Sequence, residues 1–197
     1  MKKIWSIILA AGESRRMGLP KMLLEVNGLT MIENVIGNVA ESETDGILVV
    51  LGSNSEKLVG IVSKYAVNYC ININYSEGML SSVQCGFRNL PLDTGAVMVF
   101  QGDQPFIASS TINLVIDAYR TSGKGVIIPL FNGSRGHPLL LSSCYRDEIE
   151  TLDPGEGLRS ITRIHADDIF EIETGDPGIL RDIDTYEDYR RVFNQTR

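Results

Sequence analysis

The apolar run from Ile4 to Leu9 passes without a break into Ala10-Ala11-Gly12, and this junction constrains the fold more than any other stretch. A short continuous apolar run bounded by turn residues reads as a strand buried on both faces, as at the centre of a parallel sheet. The loop behind it carries Gly12 and Gly18, Arg15 and Arg16, and Lys21. Small residues let backbone approach a ligand closely. Backbone N–H groups in such a loop point at an anion, and the three basic residues add positive charge. A buried strand ending in a glycine-rich cationic loop is suited to holding phosphates. A P-loop is excluded because Lys21 lies three residues beyond Gly18 and is followed by Met22. The dinucleotide fingerprint is excluded because only Gly12 and Gly18 of its glycines are present.

The rest of the chain alternates strand-like and helix-like patterns. Thr30 to Ala40 places Met31, Ile32, Val35, Ile36 and Val39 on one helical face. Gly46–Leu51, Val67–Ile73, Ala96–Phe100 and Gly125–Pro129 read as further strands, with helices expected at Ser55–Ser63, Ser81–Asn89 and Ser109–Arg120. This order predicts an α/β fold of three layers, with helices on both faces of a mostly parallel sheet. Ligands of such sheets bind beyond the carboxyl ends of the strands. The loop after Leu9 and the segment Gln101-Gly102-Asp103-Gln104-Pro105 after Phe100 are therefore expected to share one crevice. Beyond Phe131 the expected elements are strands at His137–Leu141, Ile169–Glu173 and Ile179–Ile183. Helices are expected there at Tyr145–Glu150, Gly157–His165 and Thr185–Phe193. No linker or repeat interrupts the pattern, so residues 1–197 are expected to form one domain. Its nucleotide-binding part would cover about 1–107 and its acceptor-side part about 108–197.

Composition narrows the partners. Eighteen Lys and Arg against 25 Asp and Glu give a net charge of −7, which argues against nucleic acid, where a basic stripe would be expected. A negative protein with one positive mouth suits a small anionic substrate. No stretch has the length of a membrane span, and Ile4 to Ala11 is too short for a signal peptide. Cys70, Cys85 and Cys144 are widely spaced and form no Cys-x-x-Cys, as expected of reduced thiols in a cytoplasmic protein. With only His137 and His165 beside them, a zinc site is not credible.

Leu9 to Leu24 resembles, at every signature position, the Leu-Ala-x-Gly-x-Ser-x-Arg-Met-Gly-x-x-Lys-x-Leu-Leu pattern of the MobA-like nucleotidyltransferases, which share a Rossmann-like fold of the nucleotide-diphospho-sugar transferase type. Gly102-Asp103-Gln104-Pro105 resembles the Gly-Asp-x-Pro element of the same family. The resemblance extends nearly end to end and is strongest to the molybdenum cofactor cytidylyltransferase branch. Ala10-Ala11-Gly12 stands where the guanylyltransferase branch has Ala-Gly-Gly. Gln104, Gly136-His137-Pro138 and Gly155-Glu156-Gly157-Leu158-Arg159 resemble further features of the cytidylyltransferase branch. Leu9 departs from the threonine often found there.

The resemblance implies transfer of CMP from CTP to the terminal phosphate of a molybdenum-pterin cofactor, with release of pyrophosphate. Leu9, Ala10, Ala11, Gly12, Ser14, Arg16, Gly18 and Lys21 would hold the nucleotide. Arg16 would take the β- and γ-phosphates and Lys21 the α-phosphate, while Asp103 would hold Mg²⁺. Magnesium commonly takes one or two protein carboxylates and fills its other positions with phosphate oxygens and water. Asp182 is favoured as the second metal carboxylate, pointing with Asp184 to one side of a strand. Asp184 with Glu187 reads instead as a capping box, and the two assignments are close to even. Asn54 and the segment from Asn74 to Ser82, with Asn74, Ser81 and Ser82 as its candidate contacts, match places where relatives contact base and ribose, although helix capping would explain Asn54 and the serines equally well. Arg135, His137 and Arg159 would meet the acceptor; turn and solvated roles stand beside these. Guanylyl transfer from GTP is the alternative within enzymes. A non-catalytic carrier delivering the finished cofactor to a hydroxylase such as xanthine dehydrogenase is the alternative outside them.

Overall fold

The structure, a computed structural model, describes residues 2–14 and 17–194, with side chains to residue 191. The first strand, β1 (Lys3–Ala10), lies in the middle of the sheet. A short hairpin follows, β2 (Glu25–Val26) and β3 (Leu29–Thr30), turned by Asn27 and Gly28 at φ +54° and +84°. Positive φ at both central residues is the two-residue hairpin geometry that Asn-Gly favours. Then come α1 (Met31–Ala40), β4 (Gly46–Leu51), α2 (Ser55–Val62), β5 (Asn68–Ile71), α3 (Met79–Asn89), β6 (Thr94–Gln101) and α4 (Ser109–Ser122). The remainder holds β7 (Val126–Phe131), β8 (Ser134–Arg135), β9 (Leu139–Ser142), α5 (Arg146–Glu150), α6 (Arg159–Ile164), β10 (Ile169–Glu173) and α7 (Tyr186–Asn194).

The sheet runs β10-β7-β9-β6-β1-β4-β5, with β8 paired on β7. Strand β1 is parallel to both neighbours, with Ile7 opposite Leu48 and Val99. The antiparallel exception along this path is β9, which runs against both β6 and β7.

Successive side chains of a strand point to opposite faces, so a sheet covered twice needs apolar residues at every position. Ile8, Val49 and Phe100 pack with Ile32, Ile36, Leu58, Ile112 and Ile116 on one face. Ile7, Leu48, Val50, Val97 and Val99 pack with Val83, Phe87, Ile149 and Ile161 on the other. That explains the unbroken apolar runs. Helix α3 approaches β1 closely at Gly86, where an added Cβ would stand 2.7 Å from Ile7 Cδ1. Thr30 and Glu33 close a reciprocal capping box on α1.

Three sequence expectations need correction. Ile179–Ile183 is not a strand: Pro177–Leu180 forms a short 3₁₀ turn, capped by Asp176 through the N–H of Gly178, and the chain then runs irregularly. Proline cannot donate to a ladder. Ile179 and Ile183 are instead fully buried in separate clusters. The reading of Asp184 as the cap of the last helix also fails. Thr185 accepts from the N–H of Asp188, whose carboxylate accepts from the N–H and hydroxyl of Thr185. In addition, α3 begins at Met79, two residues ahead of the expected Ser81, because Gly78 takes φ +109° and turns the chain into the helix.

Candidate active site

The loops after β1 and β6 meet at one end of the sheet, as expected for adjacent parallel strands. Ser14, at φ +54°, folds the first loop back: its carbonyl accepts from the N–H groups of Met17 and Gly18, and its hydroxyl accepts from the N–H of Lys21 at 3.1 Å. Gly18 completes the reversal at φ +68°. A Cβ built on Gly12 meets no atom of the described residues within 4 Å. Ala10 differs from its neighbours, since its side chain is buried in the main apolar cluster. Arg15 and Arg16 lie outside the described residues.

Lys21 is the electrostatic centre. Its Nζ donates to Asp103 Oδ2 at 2.5 Å and to Asp184 Oδ1 at 3.2 Å. The Lys21 and Asp103 side chains are only 13% and 12% exposed, so this pair is far less screened than a surface salt bridge. Burial pulls the ammonium pKa down, but the two carboxylates outweigh it and hold Lys21 above its ordinary value. Asp103 Oδ1 is buried and has no hydrogen-bond partner among the described residues. An orphaned carboxylate oxygen is costly unless something binds it. The donor set fits a hard divalent cation that brings its own phosphate and water ligands. Among the described residues no group of three or more His, Cys, Asp or Glu could by itself cage a metal. Asp184 reaches this centre because Ile183 N–H donates to the carbonyl of Asp103 at 3.0 Å. Asp182, the residue favoured from sequence, is exposed, and Lys21 bonds Asp103 and Asp184 instead.

Two cavities open beside this centre and share a wall of Leu9, Met79 and Gln101. The first, about 270 Å³, is lined by Ala11, Gly12, Lys21, Tyr75, Gly78, Ser82 and Asp103. Ser82 thus reaches the cavity, whereas the Ser81 hydroxyl donates to the carbonyls of Asn74 and Gly78. Asn54 sits at the start of α2 at φ +60° without capping it, and its amide donates to Ser53.

The second cavity, about 380 Å³, is walled by Leu80, Val83, Val99, His137, Leu139, residues 154–159 and Thr162. The Gln101 amide stands 2.7 Å from His137 Nε2. Desolvation holds the imidazole pKa below its ordinary value, outweighing the raising effects of nearby backbone and acidic groups. Arg159 opens α6 on this wall, exposed, with no ion pair among the described residues. Arg135 is not brought here; it lies on β8 and pairs with Glu171 of β10 at 2.6 Å. The sequence reasoning missed Gln101 as the neighbour of His137; its position at the end of β6 was the available signal. Tyr75 and Met79, walls of the crevice, fall within the segment from Asn74 to Ser82 that the resemblance marks.

Geometry and relatives agree on the family. Residues 6–169 match the MobA-like NTP transferase domain, and the chain belongs to that family. It is 28% identical over 190 residues to the molybdenum cofactor cytidylyltransferase of Escherichia coli K12, covering 96% of this chain and 95% of that protein. It is 30% identical over 128 residues to a probable molybdenum cofactor guanylyltransferase of Natranaerobius thermophilus, covering 65% of this chain and 60% of that one. The bifunctional protein GlmU of Clostridium kluyveri is 36% identical over 125 residues, which are 62% of this chain but 27% of GlmU. The chain therefore spans about a quarter of the length of that relative. Among solved structures, a nucleotidyl transferase from Methanothermobacter has the same fold, with a TM-score of 0.83, 22% identity and complete coverage of both chains.

Proposed function

We propose that this chain transfers CMP from CTP to the terminal phosphate of a molybdenum-pterin cofactor and releases pyrophosphate. The observation that carries the reading is the buried Lys21–Asp103 pair at the mouth of a glycine loop, with one carboxylate oxygen unpartnered among the described residues. End-to-end likeness to a molybdenum cofactor cytidylyltransferase supports the acceptor and the nucleotide. The partition into a nucleotide part before about residue 107 and an acceptor part after it belongs to this proposal: the smaller cavity is lined by residues before 107, while the larger joins His137, Leu139, residues 154–159 and Thr162 to Leu9, Leu80, Val83 and Val99.

In this reading an acceptor phosphate oxygen attacks the α-phosphorus of the nucleotide and the bond to the β-phosphate oxygen breaks. A phosphate monoester is already anionic and needs no general base, so the chain's task is alignment and charge neutralisation. The backbone at Ala11 and Gly12 would cradle the phosphates, with Arg16 on the leaving pyrophosphate. Lys21 would turn from its two carboxylates to the α-phosphate, where charge develops. Asp103 and Asp184 would hold Mg²⁺, which would neutralise triphosphate charge when bound. Arg159 and His137 would receive the acceptor in the larger cavity.

Purified protein with Mg²⁺, the phosphorylated pterin and each nucleoside triphosphate in turn tests this. Pyrophosphate release with CTP alone is the expected outcome. Release with GTP alone would establish guanylyl transfer instead, the reading favoured by the Natranaerobius relative. Tight pterin binding without release from any nucleotide would mark a carrier and overturn the proposal.

A further inference from the structure

The floor of the smaller cavity is organised by a residue that does not line it. Asn72 follows β5, is only 5% exposed, and forms hydrogen bonds through both ends of its side-chain amide. Its Oδ1 accepts from the backbone N–H of Asn74 at 3.0 Å. A backbone N–H can only donate, so this contact fixes which end of the amide is oxygen. Nδ2 therefore faces α3, donating to Ser81 Oγ at 2.9 Å and to Ser82 Oγ at 3.0 Å.

The two serines then differ. Ser81 accepts from Asn72 and gives its own proton to the carbonyls of Asn74 or Gly78. Ser82 also accepts from Asn72, but its proton has no acceptor among the described residues, and it is the serine that lines the cavity. A hydroxyl has one proton and two lone pairs. With Asn72 on one lone pair, Ser82 is biased to present a donor to whatever lies beside Gly12 and Gly78.

We infer that Asn72 is a positioning residue which sets the polarity of Ser82, so that the cavity selects a base whose edge presents acceptors there. Cytosine offers N3 and O2 as adjacent acceptors. Guanine offers N1–H and N2–H donors at the corresponding edge, and donor against donor leaves both unpaired. The inference rests on the proposed nucleotide site and adds to it the residue that decides between bases.

The test is the ratio of CTP to GTP affinity, measured by calorimetry with Mg²⁺ on the full chain. Both ligands carry the same triphosphate, so changes in net charge cancel in the ratio. Asn72→Asp keeps an acceptor for Asn74 N–H but cannot donate, so the Ser82 proton turns inward and a lone pair faces the cavity. The expected result is a fall of about tenfold or more in the ratio, the range of one hydrogen bond. The same replacement in a Ser82→Ala background should leave that background's ratio unchanged, and Ser82→Thr should retain the wild-type preference. A merely structural role for Asn72 would move the melting temperature without moving the ratio. An unaltered ratio in Asn72→Asp, or an effect that persists without the Ser82 hydroxyl, overturns the inference while leaving nucleotidyl transfer intact. Preference of the wild-type chain for GTP overturns it as well. Binding of neither nucleotide overturns the inference and the nucleotide site together. If Asn72→Asp does not fold, the Ser82→Ala and Ser82→Thr pair decides: loss of preference in both, or in neither, contradicts it.

Discussion

The two cavities of the crevice are built differently. The smaller one is organised around charge: Lys21 bridges Asp103 and Asp184, and Asp103 Oδ1 has no hydrogen-bond partner among the described residues. The larger is walled by Leu80, Val83, Val99 and Leu139, with a desolvated imidazole and one exposed guanidinium, that of Arg159, at its rim. Their supports differ in the same way. The charged side chains that line the smaller cavity, Lys21 and Asp103, stand on loops leaving β1 and β6, two adjacent parallel strands, whereas the larger adds His137, Leu139, residues 154–159 and Thr162, from beyond β7, to a wall of Leu9, α3 and β6 residues. The difference separates two tasks. Chemistry at phosphorus needs fixed charge on rigid elements, while a bulky acceptor needs an apolar wall with a few polar anchors.

Replacement of Asp103 should break that contrast most severely. Asp103→Asn removes the carboxylate from the metal position, and we expect Mg²⁺-dependent pyrophosphate release to fall by about 10³-fold or more, with the fold retained by circular dichroism. Activity within tenfold of wild type would remove Asp103 from the metal site. Lys21→Ala should lower kcat by about 10²- to 10³-fold while raising the nucleotide KM much less, because its contact strengthens as charge develops. The opposite split, weakened binding at unchanged kcat, would make Lys21 a ground-state anchor.

The two C-terminal carboxylates sharpen the picture. Asp184→Asn should cost about tenfold or more in kcat/KM, since its carboxylate touches Lys21, whereas Asp182→Asn should stay near wild type. The reverse ranking would restore the choice made from sequence. On the acceptor side, Arg159→Ala should raise the acceptor KM by about tenfold with the nucleotide KM unchanged. Arg135→Ala should do less, because Glu171 already holds that guanidinium.

The smallest effect concerns His137. Its folded pKa lies below the ordinary 6.5, so the neutral form is the one the fold accommodates. As pH falls below 6.5, the unfolded chain takes up a proton that the folded chain refuses, and stability declines. One proton limits the slope to about 1.4 kcal/mol per pH unit. Measured from pH 7.5 to 5, the denaturant midpoint of wild type should fall relative to that of His137→Gln as the pH drops. Parallel curves would show that His137 does not contribute.

How much of this was legible follows from the same division. The parallel core was readable because residues buried on both faces leave unbroken apolar runs, and Gly46–Leu51 was placed residue for residue. The meeting of Lys21 with Asp103 followed from the rule that ligands gather beyond strand ends. The C-terminal segment misled because Ile179 and Ile183 have strand-like spacing while serving two separate clusters, a distinction made only by tertiary packing. The same packing brought Asp184 rather than Asp182 to Lys21, through one backbone bond from Ile183 to Asp103. The Asn27-Gly28 and Asn132-Gly133 turns were present as signals and were not read. Both show positive φ at each residue, and each closes a hairpin. Arg135 was assigned from motif position, and nothing local in the sequence announces its partner Glu171.

The central claim is that Lys21 and Asp103 surround one metal-bound triphosphate. A crystal structure with Mn²⁺ and a non-hydrolysable CTP analogue tests it through the anomalous signal of the metal. A peak is expected within coordination distance of Asp103 Oδ1, with Lys21 Nζ turned from the carboxylates to the α-phosphate. A triphosphate bound elsewhere, or a metal that leaves the Lys21–Asp103 pair untouched, would contradict it.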